Sequence, residues 1–155
     1  MSRPRVLLAE DHEAVREQLR VLLQADFEVI AAVADGYALV GAAQALRPDV
    51  IVTDVAMPGL SGLEAAVRLI ATDSAARVIF VSVHTEAALV RRGLEIGAVG
   101  YVLKQSAGEE LVEAVRTAML GERFVSPALT VAAAAEQLPK IEGGPQRSQA
   151  ADAWD

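Results

Sequence analysis

Two hydrophobic rhythms alternate along this chain. Short, nearly continuous apolar runs occupy Val6 to Ala9, Glu28 to Ala34, Val50 to Thr53, Arg77 to Ser82 and Val99 to Leu103, rich in Val and Ile and bounded by polar residues or Gly. Strands buried on both faces have this pattern. Between the runs, apolar positions recur at helical spacing: Val15, Leu19, Leu22 and Leu23; Leu39, Ala43 and Leu46; Leu63, Ala66, Val67 and Ile70; and, after the fifth run, Leu111, Val115 and Met119. Each set makes one apolar helix stripe. Thr85 to Ile96 predicts a weaker helix interrupted by Gly93. Strict alternation of this kind predicts a parallel α/β sheet with helices on both faces, because parallel strands need crossovers and the crossovers cover the sheet.

In open sheets of this class the chemistry gathers outside the carboxyl ends of the strands, beside the point where the strand order reverses. Glu10 and Asp11 follow the first run, Asp54 the third and Lys104 the fifth, while Ser82 ends the fourth. Asp35 and Gly36 end the second and are read as a turn outside any site. Taken singly, each polar group has an ordinary explanation: an acid or Ser at a strand end forms turns and caps helices, and a Lys there is a solvated gatekeeper. The conjunction at four strand ends carries the inference. Carboxylates brought together repel unless a cation sits among them, and Mg²⁺, which takes oxygen ligands and tolerates a shared phosphate, resolves this. With a metal and Lys104 neutralising incoming phosphate oxygens, Asp54 could attack phosphorus and form an aspartyl phosphate, with Ser82 donating to a phosphoryl oxygen.

Composition narrows the setting. At 155 residues and 53% hydrophobic, the chain suits one compact domain plus a tail. A formal charge of −7 disfavours autonomous binding to nucleic acid or anionic membranes and suits a binder of cations. There is no Cys, hence no disulfide framework, thiolate metal cage or thiol nucleophile. No apolar run resembles a signal-peptide core or a membrane span, so a soluble, cytoplasmic protein is expected. Toward the end, Ser126 reads as an N-cap with Pro127 at the first helical position of an Ala-rich helix reaching about Leu138. Pro139 ends it, and the Gly- and Gln-rich remainder, with Trp154, reads as a mobile tail or linker. The expected division is therefore 1–122, an extra helix over 123–138, and a tail over 139–155.

The stretches "LLAEDH", "IVTDVAMPGLSGLE", "VIFVSVH" and "GYVLK" resemble, in order and spacing, the receiver domains of two-component response regulators, over Arg5 to about Gly121. The resemblance implies a flavodoxin-like, doubly wound five-stranded sheet of order 2-1-3-4-5, here with the extra C-terminal helix. It also implies phosphorylation of Asp54 by a sensor histidine kinase, Asp11 as a direct Mg²⁺ ligand, Glu10 as a second acid acting through water, and the backbone carbonyl of Ala56 as a further ligand. Ser82 matches the family's hydroxyl switch, Lys104 its lysine, and Tyr101 the aromatic residue that turns inward when the hydroxyl moves toward the phosphate. Met57, Pro58 and Gly62 match the loop after the acceptor.

Departures from the family pattern are equally specific. Gln105 stands where the family often has Pro in a cis bond, a geometry that a non-proline residue adopts only at about 2.5 to 4 kcal/mol. Ala56 and His84 occupy positions that in the family tune phosphate lifetime; a methyl cannot hydrogen-bond the attacking water, whereas an imidazole can. His12 is read as a helix-start residue, since an oxygen-rich Mg²⁺ site has little use for imidazole. "GYVLK" without a following Pro, together with "FVSPALT", resembles the LuxR/NarL-type subgroup, which usually precedes a helix-turn-helix domain. No second helical unit or basic recognition helix is evident here, so the output is expected to be a protein or DNA-binding module outside this chain, with self-association open and no direct nucleic-acid contact. Two readings stay open: a phosphorylation switch in bacterial transcription regulation, with at most self-directed phosphotransfer, or an adaptor that docks through the face near Arg91, Arg92 and Tyr101 without phosphate. An FMN-binding or phosphatase-like enzyme lacks its marks, as there is neither a phosphate-cradling Gly/Ser/Thr loop nor a second Asp two residues after Asp54.

Overall fold

The computed structural model describes residues 3–73 and 75–129. Strands β1 (Arg5–Ala9), β2 (Glu28–Val33), β3 (Val50–Thr53), β4 (Val78–Ser82), β5 (Gly100–Leu103) and β6 (Phe124–Val125) form one parallel sheet of order β2-β1-β3-β4-β5-β6. Helices α1 (Glu13–Gln24), α2 (Gly36–Leu46), α3 (Gly62–Thr72), α4 (Ala87–Glu95) and α5 (Ala107–Met119) connect them, with a short 3₁₀ turn at Lys104–Ser106. The order reverses at β1, whose neighbours are β2 and β3, and this reversal opens the crevice between their carboxyl ends.

Strand parity sorts the core into two layers. On one face Val6, Leu8, Val50, Val52, Ile79, Val81 and Val102 meet Leu19 and Leu23 of α1 and Leu111 and Val115 of α5. On the other, Leu7, Ile51, Val78, Phe80, Tyr101 and Leu103 meet α2, α3 and α4 through Leu39, Ala66, Leu69 and Val90. The central strands β3, β4 and β5 are buried at every position, as continuous apolar runs require. Strand β2 is an edge strand and only partly buried, so its apolar run overstated its burial.

Helix starts follow local chemistry. The Asp35 carboxylate accepts from Ala38 N–H at 2.8 Å and Ser61 Oγ from Glu64 N–H at 3.0 Å, each satisfying a free amide of the first turn. Asp35 is thus a cap as well as a turn residue. Helix α4 runs unbroken through Gly93, contrary to the expected interruption. A Cβ there would lie 3.2 Å from the Phe80 ring and 3.6 Å from that of Tyr101, so the glycine is a packing feature.

The sheet has one strand more than expected. Phe124 N–H donates to the Val99 carbonyl at 3.0 Å and Ser126 N–H to that of Tyr101 at 2.9 Å, so residues placed at the start of the extra helix instead extend the sheet beyond β5. A two-residue strand flanked by Gly, Arg and Pro carries no period to detect. A helical turn does begin at Pro127. Its expected continuation to Leu138, and the tail with Trp154, lie outside the described residues.

Candidate functional site

Of the strand-end groups, Glu10, Asp54 and Lys104 meet directly, Asp11 stands beside Glu10, and Ser82 bonds instead to the backbone of His84. Asp54 N–H donates to the Ala9 carbonyl at 3.1 Å and Glu10 N–H to that of Val33 at 3.0 Å, so the sheet ladder itself delivers both acids to the crevice. Glu10 is 1% exposed and Asp54 8%. Lys104 reaches both: its Nζ lies 2.9 Å from Asp54 Oδ2 and 2.8 Å from Glu10 Oε1. The contact to Asp54 is a hydrogen bond; that to Glu10 is an ion pair without hydrogen-bond geometry, which leaves Oε1 buried with no hydrogen-bond donor. Two anions thus share one cation in a nearly dry pocket, where an unpaired charge would cost several kcal/mol, on the order of 3 to 5.

Burial by itself would lower the Lys104 pKa, but the close contacts with the charged carboxylates of Glu10 and Asp54 outweigh it, and the net shift is upward. The ammonium therefore stays protonated through the neutral range. What it contributes to stability is present below the unfolded-state lysine pKa and is lost only as pH rises through the higher folded one.

The other acid, Asp11, sits beside Glu10 and His12, with one ligand atom from each of the three lying within 4.8 Å of the others. His12 is the N-cap residue of α1, as expected, and its side chain makes no capping bond. Its N–H donates to Glu10 Oε2 at 3.1 Å and its largely exposed ring lies 3.3 Å from the same oxygen. Arg16 in α1 donates to the Glu10 carbonyl at 2.8 Å and ties the helix to this turn, a contact that nothing in the sequence signalled. After the acceptor, Ala56 N–H donates to Asp54 Oδ1 at 3.4 Å. Gly62 packs against the acceptor's own backbone: a Cβ on it would fall 1.7 Å from the Asp54 carbonyl oxygen. Met57 is buried beside this loop.

Ser82 and Tyr101 meet on the backbone of His84. The His84 N–H donates to Ser82 Oγ at 3.0 Å, and the Tyr101 hydroxyl donates to the His84 carbonyl at 3.1 Å. Tyr101 is fully buried, its ring centroid 6.2 Å from that of Phe80. The inward position, expected to follow phosphorylation, is thus occupied in the unmodified chain, because Gly93 leaves room for the ring and the carbonyl satisfies its hydroxyl. Burial is also the main reason the Tyr101 pKa is raised; the nearby Ser82 hydroxyl opposes it, and the charges of Glu86 and Asp54 reinforce it. Of the face expected near Arg91, Arg92 and Tyr101, the tyrosine ring itself therefore offers no surface. The ring of His84 lies 3.6 Å from Glu86. The described residues contain no cis peptide bond, so Lys104–Gln105 is trans and the lysine reaches its partners without the family's proline geometry.

The fold and site thus define an open doubly wound α/β protein whose crevice holds an acid pair, a further acid and a half-buried lysine. Residues 6–116 match the response regulator receiver domain, and the chain belongs to that family. It is 34% identical over 144 residues to the response regulator GacA of Pseudomonas viridiflava, covering 91% of this chain and 67% of that protein. Against the transcriptional regulatory protein YxjL of Bacillus subtilis identity is 38% over 120 residues, 76% of this chain and 55% of the relative. The chain thus spans about half to two thirds of the length of these relatives. Among solved structures, a LuxR-family two-component response regulator from Aurantimonas superposes with a TM-score of 0.83 at 34% identity, covering 87% of this chain and 98% of that one. Among the described residues no helix is long and apolar enough to cross a membrane.

Proposed function

We propose that Asp54 is a phosphoacceptor, loaded by a sensor histidine kinase or a small phosphodonor, and that its modification is read by an output partner in bacterial transcription regulation. The contact of Lys104 with Asp54, across 50 residues of sequence, is the observation that carries this reading. In the transfer, an Asp54 carboxylate oxygen bonds to phosphorus while the donor's own bond to phosphorus breaks and the leaving group departs with the electron pair: the P–N bond of a kinase phosphohistidine, releasing its imidazole, or the P–O bond of acetyl phosphate, releasing acetate. Lys104 shifts from Asp54 Oδ2 toward the incoming phosphoryl oxygens, and the Ser82 hydroxyl donates to another.

The donor set fits Mg²⁺: Glu10, Asp11, Asp54 and the Ala56 carbonyl offer only oxygens, and the buried Glu10 Oε1 has no hydrogen-bond donor of its own. When bound, the ion supplies charge neutralisation for attack by one anion on another. Glu10 then acts as the second acid through water, as the family resemblance implies. The product is a phosphorylated receiver that reverts by hydrolysis, not a turnover enzyme. We assign residues 1–122 to the receiver, its sheet extended by β6, and the whole protein to the cytoplasm with its output in a protein or DNA-binding module outside this chain.

The inward Tyr101 supports a second reading, an adaptor whose switch is set without phosphate and which self-associates or docks near Arg91 and Arg92. One experiment separates them. With Mg²⁺ and acetyl phosphate, the intact mass of the parent should rise by one phosphoryl group while Asp54→Asn stays unchanged. No gain with acetyl phosphate or any other phosphodonor would leave the adaptor.

A further inference from the structure

The Ser126 hydroxyl is fully buried and is not spent on capping the helix it precedes. It accepts from Leu103 N–H at 2.9 Å and donates to the Glu110 carboxylate, while the Ser126 backbone N–H donates to the Tyr101 carbonyl. Leu103 immediately precedes Lys104, and Glu110 lies in the first turn of α5, just after the 3₁₀ turn Lys104–Ser106. Both ends of the segment that carries the lysine are therefore tied to a single hydroxyl.

We propose that Ser126 is a positioning residue for the phosphorylation site, holding the Leu103–Glu110 segment so that Lys104 stands over Asp54, and thereby coupling that site to the chain beyond Pro127. The proposal rests on the phosphoacceptor reading above. A hydroxyl has one proton to give and lone pairs to accept with, and here both capacities are used, one toward each end of the lysine's segment. Gln105, where the family often has a rigid proline, leaves this turn to be fixed from outside. Coupling is reciprocal: whatever Ser126 does for Lys104, a phosphate drawing Lys104 away does to Ser126 and the helical turn at Pro127.

The test compares the parent with Ser126→Ala, Ser126→Thr and Glu110→Gln in amide hydrogen exchange and in labelling by acetyl phosphate with Mg²⁺. In Ser126→Ala, exchange at residues 103–106 and 124–126 should quicken about tenfold, the scale of one lost buried hydrogen bond, while β1 amides keep the parent's rate. Labelling should slow about fivefold on the same scale, and the threonine variant should restore both. If Ser126→Ala fails to fold, Glu110→Gln carries the same comparison with a smaller effect. Unchanged exchange at 103–106, or quickened exchange with labelling at the parent's rate, would overturn the proposal. Should the parent itself take up no phosphate, the phosphoacceptor reading fails, and the exchange measurement alone decides whether Ser126 holds the turn.

Discussion

The two ends of the sheet treat charge in opposite ways. At the carboxyl end Glu10 and Asp54 are buried and share Lys104. At the amino end Asp49 accepts from Arg5 N–H at 2.8 Å, and the Arg5 guanidinium donates to the carbonyl of Arg47, beside an open groove that Asp73 and Arg77 also line. The bonds of Arg5 and Asp49 join side chains to backbone groups, and an ion pair near that end, Arg116 with Asp26 at 2.9 Å, lies in the open, where it contributes little. At the carboxyl end charged side chains are held against each other away from water, where electrostatic interactions are strongest and where each group needs the others. The difference teaches which end is built for chemistry: the one where burial is tolerated only because the charges converge.

That contrast breaks most completely on loss of the lysine. Lys104→Met should lower the rate of phosphate uptake from acetyl phosphate by about a hundredfold or more, the scale on which a preorganised electrostatic partner acts. Mass spectrometry over a time course measures it, and a rate near the parent's would remove Lys104 from the reaction. Next comes Tyr101→Phe, which deletes the bond to the His84 carbonyl and should cost about 1 kcal/mol in urea unfolding at neutral pH.

The same variant has a pH signature. The folded chain holds the Tyr101 phenol proton more tightly than the unfolded chain does, so that part of stability is complete below the unfolded pKa and declines as pH rises through the folded one. Between about pH 9 and 11 the parent should therefore lose more stability than Tyr101→Phe. Equal losses would contradict the buried phenol.

The smallest effect sharpens the comparison from the other end. Asp49→Ala removes the acceptor for Arg5 N–H and should cost about 1 kcal/mol, with phosphate uptake within about twofold of the parent. A large loss of uptake would mean that the amino end is not independent of the site.

Much of this was legible in the chain itself. Continuous apolar runs and helical stripes predicted the first five strands and five helices to within two or three residues at most ends, because burial on two faces or on one leaves a period that composition cannot hide. The acids, hydroxyl and lysine at strand ends were legible for a similar reason, since the fold class fixes where strand ends go. Ser126 was legible only as a cap: its neighbours show a Ser-Pro helix start, and nothing local indicates Leu103 or Glu110 as its partners. Gly93 read as a helix breaker because its reason, the Phe80 and Tyr101 rings, comes from two other strands.

By itself, then, the order of residues determined the alternation of elements, the direction of the sheet and the set of groups brought to its carboxyl edge. Tertiary structure alone decided that Lys104 bridges Glu10 and Asp54, that Tyr101 lies inward, and that a sixth strand delivers a hydroxyl to the lysine's turn. The reason is physical: periodicity records whether a position faces water or protein, whereas a hydrogen bond or ion pair between distant segments depends on angstrom-scale register, which no local pattern encodes.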